Sequence, residues 1–264
     1  MTIETLLKEG QIQEAIQTLN GEIRSKPSAI DRRALLCDLL CITGDFVRAD
    51  TQLDAIGKLA PESQAGVSLG RQLIRAEQWR QEVFTQGRVP EFLTEANPRM
   101  QLHLRALIAL RDGDSAAAHQ LLTAAEEMRN PVPGTHGGTA FDDFRDCDDV
   151  VGGVLEVLTS TGKYYWVPME DIRTLEFREA TRPRDGLWRQ AQLEVENGPT
   201  GEVYIPVLYA PAPDIENPDA LLGRSTEWSE DEPVRGTGHR TFLVGEDIFA
   251  LHELSELTFE APGA

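Results

Sequence analysis

The spacing of apolar residues divides the chain in two. Through residue 130 they fall in helix-length blocks such as RALLCDLLCI (33–42) and MQLHLRALIAL (100–110). After Pro131 they come in short alternating or β-branched runs: VLEVLT (154–159), KYYWVP (163–168), IRTLEF (172–177), LWRQAQLEVE (187–196), EVYIPVLY (202–209), RTFLV (240–244) and LTFE (257–260). The pattern predicts a helical first half and a β-rich second half.

Within the first half a signature recurs. Gly10, Ala15, Leu19 and Pro27 are each followed 34 residues later by Gly44, Ala49, Leu53 and Pro61. A third copy has Gly113, Ala118, Leu122 and Pro131, its proline one position late. These are the turn glycine, small crossing residue, large groove-filling residue and closing proline of a tetratricopeptide-type helical hairpin. Glycine ends the first helix because it tolerates a left-handed backbone, and proline halts the second. LGRQLIRAEQWRQEVFTQG (69–87) also looks helical but keeps none of the signature positions. Helical repeats stack into curved surfaces that hold peptides, so this half points to protein binding.

In the second half, Ser160-Thr161-Gly162 joins the first two runs, and NGPTG (197–201) marks a hairpin between the fourth and fifth. Val203, Ile205, Val207 and Tyr209 share one strand face, and Pro206 predicts an edge strand. Residues 210–238, long, acidic and proline-rich, read as a surface excursion. The expected fold is α+β. Tetratricopeptide-like repeats occupy 1–130, PVPGTHGGT (131–139) forms a linker, and a small, mainly antiparallel, acidic β-rich domain spans 140–264.

Charge sharpens this division. The 264 residues hold 25 Lys and Arg against 44 Asp and Glu, a net charge of −19. Residues 1–130 contribute 15 basic and 18 acidic side chains, and residues 131–264 contribute 10 and 26. Such acidity excludes a nucleic-acid binder and disfavours an anionic membrane surface. No apolar run approaches the roughly 18 residues of a membrane span, and MTIETLLKEGQ lacks the pattern of a secretory signal. Three cysteines make no even-numbered disulfide framework, so a reducing cytoplasm is the expected compartment. Cys37 and Cys41, four apart on a helix, read as small core residues because no second ligand pair sits at zinc-site spacing.

Several chemical signatures fail on context. GVSLG (66–70) matches the Gly-x-Ser-x-Gly elbow, but no strand precedes it and helix formers surround Ser68. HGG (136–138) lies in linker-like sequence, and His252-Glu253 opens a zinc pattern whose second histidine position is Glu256. GTGHR (236–240) reads as a tight turn before a strand rather than a phosphate loop. In FDDFRDCDDV, an EF-hand loop starting at Asp146 would place Val151 and Val157 where Gly and Glu are needed. The plain reading of that cluster is a solvated acidic loop. The functional reading is an electrostatic patch for a basic partner, through Asp142, Asp143, Asp148 and Asp149. Trp166 and Trp188 are expected in the core, while Trp228, in the acidic excursion, is a candidate for partner contact. No catalytic residue, metal or cofactor is expected.

FDDFRDCDDVVGGVLEV, GKYYWVPMEDIRTLEF, LWRQAQLEV, GEVYIPVLYA, TEWSEDE and GHRTFLVGEDIF, preceded by a helical-repeat half beginning LLKEGQIQEAI, together resemble the ImpE family. Its members, also called TagJ or SciE-type proteins, are accessory components of bacterial type VI secretion. Cys147 among the aspartates is a departure from the family pattern. The resemblance implies a non-catalytic cytoplasmic adaptor. It would bind an N-terminal helical segment of the small, TssB-like sheath subunit and link the contractile sheath to its ClpV-type AAA+ recycling unfoldase. The alternative is a general peptide-binding chaperone or assembly factor outside secretion.

Overall fold

A computed structural model describes residues 1–181, 183–210 and 217–260. Helices α1 (Ile3–Lys8) and α2 (Ile12–Ser25), α3 (Ile30–Ile42) and α4 (Phe46–Leu59), and α6 (Pro98–Arg111) and α7 (Ser115–Glu127) form three hairpins. The long α5 (Gln64–Gln86) lies between the second and third. Gly10, Gly44 and Gly113 hold the three turns at φ of 73°, 74° and 78°, where a side chain would be strained. Ala15, Ala49 and Ala118 are fully buried at the crossings, with Leu19, Leu53 and Leu122 beside them. Ser68 sits exposed within the first turns of α5, so the residues around it form no strand-to-helix elbow.

The β-rich half contains thirteen described strands. They are β1 (Gly134–His136), β2 (Thr139–Phe141), β3 (Phe144–Asp146), β4 (Val154–Leu158), β5 (Tyr164–Pro168), β6 (Ile172–Phe177), β7 (Trp188–Val195) and β8 (Thr200–Pro206), then, after the single-turn helix α8 (Pro218–Leu221), β9 (Thr226–Trp228), β10 (Gly236–Gly238), β11 (Thr241–Val244), β12 (Asp247–Ala250) and β13 (Glu256–Phe259). Eight of them form an antiparallel sheet in the order β2-β1-β13-β6-β7-β8-β4-β5. A second sheet runs β12-β11-β3, and β9 pairs with β10 as a ribbon.

Three sequence expectations change here. Residues 131–139, expected as a linker, carry β1 and the first residue of β2, because Gly134 pairs with both Phe141 and Phe259. Pro206 does not mark an edge: β8 lies between β7 and β4. The proline is tolerated because it is the last residue of its strand, beyond the Leu158–Tyr204 pairing with β4. GTGHR is not a simple turn, since Gly236–Gly238 pairs with Thr226–Trp228. Of the acidic excursion, residues 211–216 lie outside the described residues. The rest folds back as α8 and the β9–β10 ribbon, with Arg224 donating to the Leu7 and Lys8 carbonyls at the end of α1.

The β4–β5 end of the eight-stranded sheet is buried on both faces, whereas β6 and β13 alternate buried and exposed residues. Val154, Leu158, Tyr164, Trp166, Trp188 and Tyr204 join the helices in one continuous core. The alternate residues Leu155, Val157, Val167, Leu193 and Ile205 pack with Phe144, Phe242 and Val244 of the smaller sheet in a second core. The free edge of β5 is covered by the α5–α6 connection, where Glu91 bonds to the backbone of Tyr164 and Trp166. Among the described residues no helix is long and apolar enough to cross a membrane.

Candidate functional site

Glu156 is the middle residue of VLEVL, and strand alternation points it toward the helices. A carboxylate there must be paired. Arg80 of α5 supplies Nε at 2.8 Å from Oε1 and Nη2 at 3.1 Å from Oε2, a two-pronged contact. Arg240 and the Tyr164 hydroxyl also donate to this carboxylate, and Trp166 Nε1 lies 2.5 Å from the Tyr164 oxygen. Arg80 further reaches Glu77 at 3.2 Å, and Glu77 accepts from Trp188 Nε1 at 3.0 Å. Burial alone would raise the Glu156 carboxyl, but Arg80 and Arg240 outweigh it and hold it at about 2. The same chain continues to Asp146, whose Oδ2 lies 2.7 Å from Arg240 Nε. There burial wins, and Asp146 is pushed up to about 7 against the pull of Arg240.

The aspartates singled out in the sequence lie beside this network. Asp143 accepts from Arg129 at 2.7 and 2.5 Å and from the Val132 and Phe144 amides. Burial works against its charge, but Arg129 and these amides bring it below the usual carboxylate range. Asp148, almost fully buried, accepts from Arg235 at 2.9 Å and from the Val150 and Gly236 amides. Asp149 meets Arg145 at 3.1 Å and the Val234 amide at 2.8 Å, and burial raises its carboxyl. Only Asp142 of the four is exposed. The loop is therefore not the solvated one expected from its composition. Its carboxylates turn inward toward Arg129, Arg145 and Arg235 and toward backbone amides that need acceptors, Val150 of the tight turn at Asp149–Val151 among them.

Trp166 and Trp188 are buried as expected, whereas Trp228 is 40% exposed. Its ring stands edge-on to Tyr209 at 5.8 Å, and Tyr209 in turn donates to Asp146 at 2.8 Å. Gly236 permits this packing, since a Cβ there would fall 2.3 Å from the Tyr209 ring. Trp228 is thus the outward end of a chain of contacts that reaches the buried ion network. Among the described residues no three His, Cys, Asp or Glu side chains are grouped to hold a metal. Cys37 and Cys41 are both buried on α3.

The composition-based reading missed Arg80, Glu77, Glu156 and Arg240. One signal was available: a glutamate inside an otherwise apolar five-residue strand requires a cation. Nothing local identified Arg80, 76 residues earlier, as its partner. Chemically the arrangement is a clamp. It fixes α5 against β4, while Asp142 and Trp228 stay on the surface.

Residues 138–258, the segment containing Glu156, the aspartate loop and Trp228, match the family model described as ImpE protein. A type VI secretion system accessory component, TagJ of Pseudomonas aeruginosa, is 33% identical over 265 aligned residues, covering 100% of this chain and 93% of that protein. A crystal structure of a Vibrio parahaemolyticus protein superposes with a TM-score of 0.90 at 31% identity, covering 98% of each chain. Similarity of this extent takes in the helical hairpins as well as the β-rich half, and the chain belongs to the ImpE family.

Proposed function

We propose that this protein is an accessory component of type VI secretion that works as a non-catalytic, cytoplasmic adaptor. It holds a helical segment of the small, TssB-like sheath subunit and so links the contractile sheath to its ClpV-type AAA+ unfoldase. The observation that carries the reading is the full-length similarity to an accessory component of that system. The helical hairpins support it physically, because stacked hairpins present grooves that accept an amphipathic helix through anchors at i, i+3, i+4 and i+7. Asp142 and Trp228 are the surface residues offered to the partner from the β-rich half, while Asp143, Asp148 and Asp149 act by holding that surface in shape.

The test is a fluorescence-anisotropy titration of the full chain with the N-terminal peptide of the sheath small subunit. Saturable binding that is lost when the peptide's apolar anchors become polar supports the adaptor. Equal binding of an unrelated amphipathic helix would favour a general peptide chaperone instead. No binding by the folded chain would refute the sheath-helix mechanism.

A further inference from the structure

Among the described residues, the outer side of the last hairpin carries charges and an apolar residue with no partner. On α6, Gln101, Arg105, Ile108 and Asp112 follow one another at intervals of four, three and four, which places them in one stripe opposite the buried Met100, His103 and Leu107. All four are exposed, Ile108 by half of its surface. A groove of about 330 Å³ runs beside the stripe, lined by Arg105, Ile108, Ala109 and Asp112 with Asp114 and Leu121 of α7. Among the described residues the side chains of Arg105 and Asp112 have no ion-pair or hydrogen-bond partner. Asp112 also sits at the C-terminal end of α6, where the helix dipole disfavours an anion and favours a cation.

The order of these groups is self-complementary. Arg105 and Asp112 are centred on the same point of α6 as the neighbouring pair Ile108 and Ala109. Two copies of the helix laid antiparallel would therefore bring each Arg105 to the other's Asp112 and Asp114. Ile108 would meet Ala109 at the centre. This is the requirement of a two-fold, isologous contact, in which one patch meets itself.

We propose that this face pairs with a second copy of the same chain, α6 against α6 in antiparallel orientation, with Ile108 at the axis and Arg105–Asp112 ion pairs on either side. A second copy supplies what the described residues of one chain lack: a cation at the end of α6, an anion for Arg105 and a cover for Ile108. With one helical hairpin from each copy, the contact belongs to the small, concentration-dependent class.

Sedimentation velocity on the full chain, over a concentration series and at two salt concentrations, tests it. The expected result is a dimer fraction that rises with concentration and falls with salt. Ile108→Glu is expected to be monomeric throughout. Arg105→Asp or Asp112→Arg alone should weaken association about tenfold, by turning two attractions into repulsions. The double variant Arg105→Asp/Asp112→Arg should recover most of that loss. All these positions are exposed, and unchanged far-ultraviolet circular dichroism confirms that each variant folds. A wild-type chain that stays monomeric overturns the proposal, whatever else the groove binds. So does a dimer indifferent to Ile108→Glu, or a double variant no tighter than the singles.

Discussion

On one face of the eight-stranded sheet, Leu155, Val157, Val167, Leu193 and Ile205 pack against Phe144, Phe242 and Val244 with aliphatic and aromatic contacts. On the other face, one residue further along the same strands, Glu156 meets Arg80 and Trp188 meets Glu77 of α5, while Tyr164 donates to Glu156 and Trp166 to the Tyr164 hydroxyl. The first face is held by burial, which is non-directional and tolerates exchange among residues of similar volume. The second adds, to the apolar core it shares with the helices, partners that must all be present at once, because a buried charge left alone is costly. The polar face fixes where the helical half sits on the sheet.

The comparison is broken most strongly at Glu156. Replacing Glu156→Ala leaves the Arg80 and Arg240 guanidiniums buried without their shared carboxylate, and a loss of about 4 kcal/mol is expected in urea unfolding. Leu155→Ala, one residue away on the aliphatic face, should cost about 3 kcal/mol through lost burial and the cavity left behind. The two variants should also differ in kind. Leu155→Ala keeps one cooperative transition, whereas Glu156→Ala separates loss of helical circular dichroism from loss of the β-sheet infrared amide band.

Acid sharpens the contrast further. The Glu156 carboxyl is held below its unfolded value, so its contribution is present above about pH 4.5 and is lost as pH falls toward 2. Asp146 has the opposite sign. Its folded value lies near 7, above that of the unfolded chain, so stability from this group declines as pH rises from about 4 to 7. Asp146→Asn does not titrate, and over that range it should gain on the wild type by about 4 kcal/mol. The smallest effect is expected at Asp142, the exposed member of the loop. Asp142→Asn should change stability by less than about 0.5 kcal/mol, so any loss of sheath-peptide affinity in this variant would report on the surface alone.

The helical hairpins were legible because their constraints are local. A turn needs Gly10, Gly44 or Gly113 at positive φ, and the adjacent crossing needs a small residue five positions later. The longer strands were legible for the same reason, as alternation at β7 or β8 is written in consecutive residues. The short strands β1, β2 and β3 were not, because three residues carry no period and their pairing partners lie far away in sequence, as Gly134 with Phe259 and Phe144 with Val244 show. The acidic loop misled for a related reason. Composition reported the charge of Asp143, Asp148 and Asp149 correctly, but their arginines, Arg129 and Arg235 among them, come from α7's end and from the ribbon. The surface candidates Asp142 and Trp228 keep the exposure that partner contact requires.

The central claim is that the polar face joins the helical and β-rich halves into one body. Equilibrium urea unfolding of the wild-type chain, followed by helical circular dichroism and by the β-sheet infrared amide band, tests it most directly. Coincident transitions with one midpoint are the predicted result. Helices that melt while the sheet band persists would contradict it.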